Sequence, residues 1–297
     1  MEFKWEKLTS PEFEEAIEKS KGLCILPLGC LEKHGEHQTV GCDAFIGDIL
    51  TKAAAELEYA VVFPTGYWVG DLFGVRSAAK PETVRGGIAI KPETLLTVLT
   101  ELCEEIARNG FRKILIVNVH GGNVGFLDFF VRAMCYEKRN FATMWVRATT
   151  RCSDPKVLYP DILSRPEAYP MMTDEDMAVL KKFAETGTGG GHADLCEVAM
   201  CMSEMPETVR PDMFESCSGI STGKADYLTK MGVNHGKVFG VNFPNAFHGY
   251  ASTGCTANIG KAMVKAEAER LAKIFKTLKE DEFCVDMVKG TYLDEDK

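Results

Sequence analysis

The chain has 297 residues, 45% apolar and 26% charged, with a formal net charge of −9. That composition suits a soluble globular protein, and a chain of this size buries roughly 75% of its unfolded surface, so folding requires neither disulfides nor a structural metal. The acidic balance, without any Lys/Arg run, excludes nucleic acid as a partner, and no apolar run reaches membrane-spanning length.

Residues 1–7 are charged and carry no apolar leader. The run 23–28 (LCILPL) reads as a buried strand. Residues 45–57 place Ile46, Ile49, Leu50, Ala53 and Leu57 on one helical face. Short strands are expected at 59–63 and 86–90. Over 92–109, Leu95, Leu99, Leu102 and Ile106 recur at helical spacing, and Asn109-Gly110 supplies the stop. The β-branched run 113–119 is the clearest central strand. A helix over 124–138 and a strand over 142–146 follow. Pro155, Pro160, Pro166 and Pro170 break the pattern, so 151–173 reads as an irregular loop. Helices are expected over 174–185, 194–202 and 258–278. Strands alternating with helices predict an α/β fold, a mostly parallel sheet sandwiched by helices, in a single domain over 1–297. The eleven cysteines have no CxxC spacing, which argues against a Cys-based metal or cluster site and fits a cytoplasmic protein with reduced thiols. Trp5, Trp68 and Trp145 read as packing residues, as do Cys30 and Cys42.

Four of the six histidines lie in three polar, Gly-containing segments. The first, Gly29 to Asp43, holds Glu32, His34, His37 and Asp43. Carboxylates and imidazoles are ligands for Zn²⁺ and Mn²⁺. In an extended segment Glu32 and His34 point to the same side. Asp43 has an ordinary alternative as the N-cap of the following helix. The second segment, Asn118-Val119-His120-Gly121-Gly122-Asn123, ends a strand, where α/β sheets bind ligands; Asn123 has a simple alternative as a helix cap. The third, Thr186 to His192, lacks the GxxxxGK[ST] pattern and reads as flexible backbone that lets His192 approach a substrate. Glu197 follows within a helix, with solvent exposure as its ordinary reading. His235 reads as a loop residue, and His248 is left open.

The first two segments resemble those of the creatininase (creatinine amidohydrolase) family. Its first motif, roughly G-S/T-x-E-Q-H-G-x-H followed by an Asp, is similar to Gly29 through His37 with Asp43. Its N-G-H-G-G-N motif matches residues 118–123 except at Val119. A looser H-A-G-E-x-E-T similarity runs through His192, Asp194 and Glu197, and continues into 206–212 (PETVRPD). The resemblance implies a dinuclear site for two divalent ions, Zn²⁺ or Mn²⁺ with Fe²⁺ as a further option. It also implies a small-molecule substrate and a homo-oligomer, commonly a hexamer. Carried over by position, Glu32 and His120 would bind one ion and His34 the other, with Asp43 bridging. In creatininase an aromatic and a glutamate follow the second-motif histidine, where this chain has Gly121 and Gly122. Glu197 is the expected replacement ligand. The segment expected near residue 70 is replaced by Gly70-Asp71-Leu72-Phe73, so creatinine itself is not the expected substrate.

The implied chemistry is metal-assisted hydrolysis of a cyclic amide C–N bond. His192 and Glu197 are the expected catalytic groups, with His192 carrying a proton to the leaving group. His37, Asn118 and Asn123 are expected to orient the ligands. Two alternatives are a C–C hydrolase acting on a cyclic ketone such as an oxidised inositol, and a non-catalytic, metal-stabilised binding protein. Substrate choice is expected to reside in 67–85, 151–173 and 242–253.

Overall fold

A computed structural model describes residues 1–66, 78, 84–249 and 254–290. Trp68, Gly70 to Phe73, nearly all of the expected specificity segment 67–85, and residues 250–253 lie outside the described residues. Four parallel strands, β1 (Leu23–Leu28), β2 (Val61–Val62), β3 (Lys113–Asn118) and β4 (Ala142–Arg147), form one sheet in the order β2-β1-β3-β4. Every residue of β1 and β3 is buried. Strands covered on both faces read as continuous apolar runs, which is why these two stand out in the sequence.

The two faces have separate cores. Leu23 and Ile25 of β1 pack with α2 (Cys42–Leu57), α7 (Leu195–Glu204) and α10 (Ala257–Glu280). Cys24, Leu26 and Leu28 pack oppositely, with α3 (Pro92–Arg108) and α4 (Val124–Met134), beside α1 (Ser10–Lys19). Trp5 belongs to this second face, edge-on to Phe13 and Phe63. Each fully buried Leu or Ile contributes about 1.5–3 kcal/mol, so the helical sandwich is held from both sides of one sheet. The other helices are α5 (Pro155–Ser164), α6 (Asp174–Thr186), α8 (Asp226–Lys230), α9 (Val238–Asn242) and α11 (Phe283–Lys289). Among the described residues no helix is long and apolar enough to cross a membrane.

Several local expectations fail for physical reasons. Residues 86–90 form no strand; Ile88 N–H instead donates to Leu31 O at 2.9 Å, pinning this segment to the loop after β1. The proline-rich 151–173 stretch contains α5. Pro155 occupies its first turn, where a missing N–H does no harm, and Asp154 accepts from Lys156 N at 3.2 Å. Pro160 lies inside that helix while Leu158, Tyr159 and Ile162 are buried, so tertiary packing offsets the lost hydrogen bond. α4 stops at Met134 rather than 138.

Leu28, Asn118 and their neighbour Arg147 end three strands at one edge, because Leu28 pairs with Asn118 and Asn118 with Arg147. Just beyond β1, a Cβ at Gly29 would lie 2.4 Å from Ala44 N. Only glycine lets the start of α2 rest on the tip of β1. That approach delivers Asp43 to the strand edge.

Candidate metal centre

The loop after β1 turns sharply at Gly35 (φ +61°) and returns alongside itself, with Glu32 N–H donating to Val40 O at 3.0 Å and a bridge between His34 and Gln38. Its return limb is backed by the 206–212 segment, through a Gln38–Val209 bridge and Arg210 N–H donating to His37 O at 2.8 Å. Lys33 points outward to Glu36 at 2.6 Å, while Glu32 and His34 turn inward, 5% and 0% exposed. Asp43 is buried, but it is not the helix cap. Gly41 holds that position, and Asp43 lies within the first turn.

His120 follows β3. Asn118 Nδ2 donates to His120 O at 2.7 Å, and Asn123 Nδ2 donates to Asn118 Oδ1 at 3.2 Å. Asn123 therefore ties the turn together rather than capping α4 with its side chain. A Cβ at Gly122 would stand 2.4 Å from His120 Nε2, whereas one at Gly121 would meet nothing within 4 Å.

The third segment arrives from the other side. The glycine run is pinned, not flexible: Asp194 Oδ2 accepts from Gly189 N at 2.9 Å and Gly191 N at 3.3 Å, and Tyr159 Oη donates to Gly189 O at 2.8 Å. Ala193 has φ +57°, a left-handed conformation unfavourable for a residue with a side chain. It is gripped twice. Its N–H donates to Glu197 Oε2 at 2.7 Å, and its carbonyl accepts from His37 Nε2 at 2.8 Å. His37 lies fully buried between Phe214 and Phe247.

These parts converge. His120 Nδ1 lies 2.9 Å from Glu32 Oε1 and 3.1 Å from Asp43 Oδ2. His34 Nε2 lies 3.6 Å from Asp43 Oδ1, 3.6 Å from Glu197 Oε2 and 4.0 Å from Glu32 Oε1. His192 Nδ1 is 3.4 Å from Glu32 Oε1. Cys30, read from sequence as packing, donates its thiol to Asp43 Oδ2 at 2.9 Å. Cys30, Glu32, Asp43 and His120 form one set of mutually close donor atoms, and Glu32, His34 and His192 another. Glu32, His34, Asp43, His120, His192 and Glu197 thus lie together, while His37, Asn118 and Asn123 hold the backbone around them. His235 does not join it.

Burial penalises charge here, and the neighbours decide the outcome. Burial alone would raise the Asp43 carboxyl, but the hydrogen bond from His120 and the charges of His34 and His120 hold it well below the usual range. Glu32 is lowered against burial by the charges of His120 and His192. Glu197 is raised, because burial outweighs His34 and His192. For His34 the balance reverses: burial opposes protonation, yet Asp43, Glu197 and Glu32 push it up to about 10.

The donor set fits a divalent cation. His34 Nδ1 faces Glu32 O at 3.1 Å, which makes Nδ1 the donor and leaves the Nε2 lone pair aimed at the carboxylates. His34 Nε2 is buried without a hydrogen bond. In that tautomer a lone pair and three carboxylates face one another, an arrangement of acceptors that a cation resolves. His192 repeats the pattern: its Nε2 donates to Lys33 O at 2.9 Å, leaving Nδ1 toward Glu32.

Beside the cluster opens a cavity of about 570 Å³. His192, the glycine run, Phe243, His248 and Arg147 line it. His248, left open by its sequence context, packs its ring 4.3 Å from that of Phe243. Arg147 was not anticipated, because only the register of β4 beside β3 brings it to this edge.

The family model described as creatinine amidohydrolase matches residues 6–275. The chain is 27% identical over 166 residues to a creatinine amidohydrolase of Pseudomonas putida, covering 52% of this chain and 62% of that protein. It is also 27% identical over 134 residues to a mycofactocin precursor peptide peptidase of Mycobacterium tuberculosis, covering 44% and 52% respectively. The chain thus spans between half and two thirds of the length of these curated relatives. Solved structures with the same fold include a tryptophan-to-phenylalanine mutant creatininase (TM-score 0.68, 19% identity, 94% of this chain and 100% of that one). A creatininase in an Mn form gives TM-score 0.62 at 17% identity, covering 95% and 100%. A glutamate-to-glutamine creatininase mutant of Zn-Zn type gives 0.65 at 18%, again covering 95% and 100%.

Proposed function

The chain belongs to the creatininase family, and on that premise we propose that it is a metal-dependent hydrolase opening the C–N bond of a small cyclic amide. The observation that carries this reading is the buried His34 Nε2 facing Asp43, Glu197 and Glu32 within 4.0 Å. Glu32 and His120 would hold one divalent ion and His34 and Glu197 a second, with Asp43 between them. Zn²⁺ and Mn²⁺ suit such mixed nitrogen and oxygen donors, and related structures are of Mn and Zn-Zn forms. When bound, such a pair of ions supplies Lewis acidity and lowers the pKa of water toward neutrality.

The side chains do the rest. Glu197 supplies the carboxylate that Gly122 cannot, and the Ala193 N–H aims it. The Cys30 thiol and the Asn118–Asn123 pair orient Asp43 and His120. Because His192 Nε2 is committed to Lys33 O, a proton enters or leaves that ring at Nδ1, beside Glu32. That atom is placed to serve a leaving nitrogen. A homo-hexamer belongs to the same reading, and sedimentation of the purified protein measures it.

The test is an assay of chelated and metal-reloaded protein on creatinine, hydantoin and dihydrouracil, with products identified by mass. Metal-dependent appearance of the ring-opened acid supports the reading. Unchanged turnover after complete metal removal rejects it. The mycobacterial relatives favour a second reading, cleavage of an open-chain peptide amide, and a dipeptide panel in the same assay separates the two. A cyclic diketone included in the panel reports C–C cleavage.

A further inference from the structure

We infer that the substrate carries a carboxylate, and that Arg147 receives it; the hydrolase reading above is needed here only to place the reacting bond at the His192 end of the cavity. His192, His248 and Arg147, the last at the tip of β4, all line the cavity, and Phe243 contributes an apolar wall. Among the described residues Arg147, itself solvent-exposed, is the one permanently cationic side chain lining it. Among the described residues no carboxylate lies within ion-pair distance of its guanidinium.

The acid that lines the same cavity, Asp194, is committed elsewhere. Its Oδ2 accepts from Gly189 N and Gly191 N, and its Oδ1 from Leu195 N. It holds the glycine run in place, and no ion pair joins it to Arg147. Glu32, Asp43 and Glu197 do not line the cavity.

The base of Arg147 is fixed. Its backbone pairs across to Asn118, and its carbonyl accepts from Arg270 Nη2 at 2.7 Å and Thr150 Oγ1 at 2.9 Å. A planar guanidinium takes a carboxylate through two parallel hydrogen bonds. In a chain of net charge −9, which repels anions generally, a guanidinium free of ion pairs among the described residues is a local attraction for an anion. The volume suits a small ring with a single acidic substituent. The occupant's reacting amide would face His192 while its carboxylate reaches Arg147.

The test compares two rings that differ by one carboxylate, dihydroorotate and dihydrouracil. Their dissociation constants are measured calorimetrically on metal-loaded protein in 0.1 M salt, which screens diffuse attraction. Wild type is expected to bind the acid roughly 10-fold or more tightly than the neutral ring, the range of a hydrogen-bonded charged pair. In Arg147→Gln the ratio is expected to fall toward one, and Arg147→Lys to keep part of it. Equal affinities in wild type, a ratio that survives Arg147→Gln, or no measurable binding of the acid would each overturn the inference. A ratio that depends on Arg147 without turnover of either ring leaves the anion pocket standing and rejects the cyclic-amide reading, so the two failures are distinguishable.

Discussion

At the scale of single residues, His34 is held on every side. It is completely buried, its Nδ1 faces a carbonyl, and its Nε2 looks onto three carboxylates. Without a cation, the ring resolves the conflict by taking a proton, which is why it is pushed up to about 10. A group whose folded value is raised stabilises the fold fully below its ordinary value of about 6.5, and the contribution is lost as pH rises through the folded value. The thermal midpoint of chelated protein is therefore expected to fall between about pH 6.5 and 10 more steeply in wild type than in His34→Gln. Parallel slopes would contradict that picture. Glu32, His34, Asp43 and His120 were legible in the sequence because ligand-type residues crowd two short segments. Cys30 was not, since a thiol reads as a small apolar group until a carboxylate is seen beside it. The grip of His37 and Glu197 on Ala193 was equally hidden, because it joins residues far apart in the chain.

At the scale of elements, turns and helix starts do the positioning. A side chain at residue 122 would displace the His120 ring from its present position, since a Cβ there would meet His120 Nε2 at 2.4 Å, while position 121 is open. Gly122→Ala is expected to weaken metal affinity by about 10- to 100-fold, the range for disturbing the orientation of a ligand. Gly121→Ala is expected to leave it within about 2-fold, a surface-like change; calorimetry of Zn²⁺ binding measures both. On α10, Glu267 is wholly buried. Its Oε1 accepts from Arg151 N at 2.7 Å and Cys152 N at 2.8 Å, and its Oε2 pairs with Arg270 Nε at 2.7 Å. Glu267→Ala leaves Arg270 without its carboxylate partner and is expected to destabilise by about 3–5 kcal/mol in urea unfolding. Element types were legible where periodicity was strong, as in β1, β3 and α3. They were misread where packing overrides local preference, as in α5 around Pro160, and where an apolar run such as 86–90 serves a loop. α1 went unread although Thr9 and Glu12 form a capping box around Pro11.

At the scale of the whole molecule, one parallel sheet brings three strand tips to a common edge and covers both faces with helices. The edge collects Glu32 and His34 after β1, His120 after β3 and Arg147 at the end of β4, while α2 and α7 deliver Asp43 and Glu197. The layered architecture was legible from alternating strand and helix patterns. The depth of the cavity and the arrival of Arg147 were not, because both depend on register between strands distant in sequence. Whether Asp43 and its neighbours would hold two divalent ions is measured by elemental analysis of metal-reloaded protein. About two bound ions per chain are expected in wild type, and a marked loss in Asp43→Ala that retains the native circular dichroism. Wild-type protein that holds no divalent metal, or Asp43→Ala that holds the full complement, would contradict that expectation.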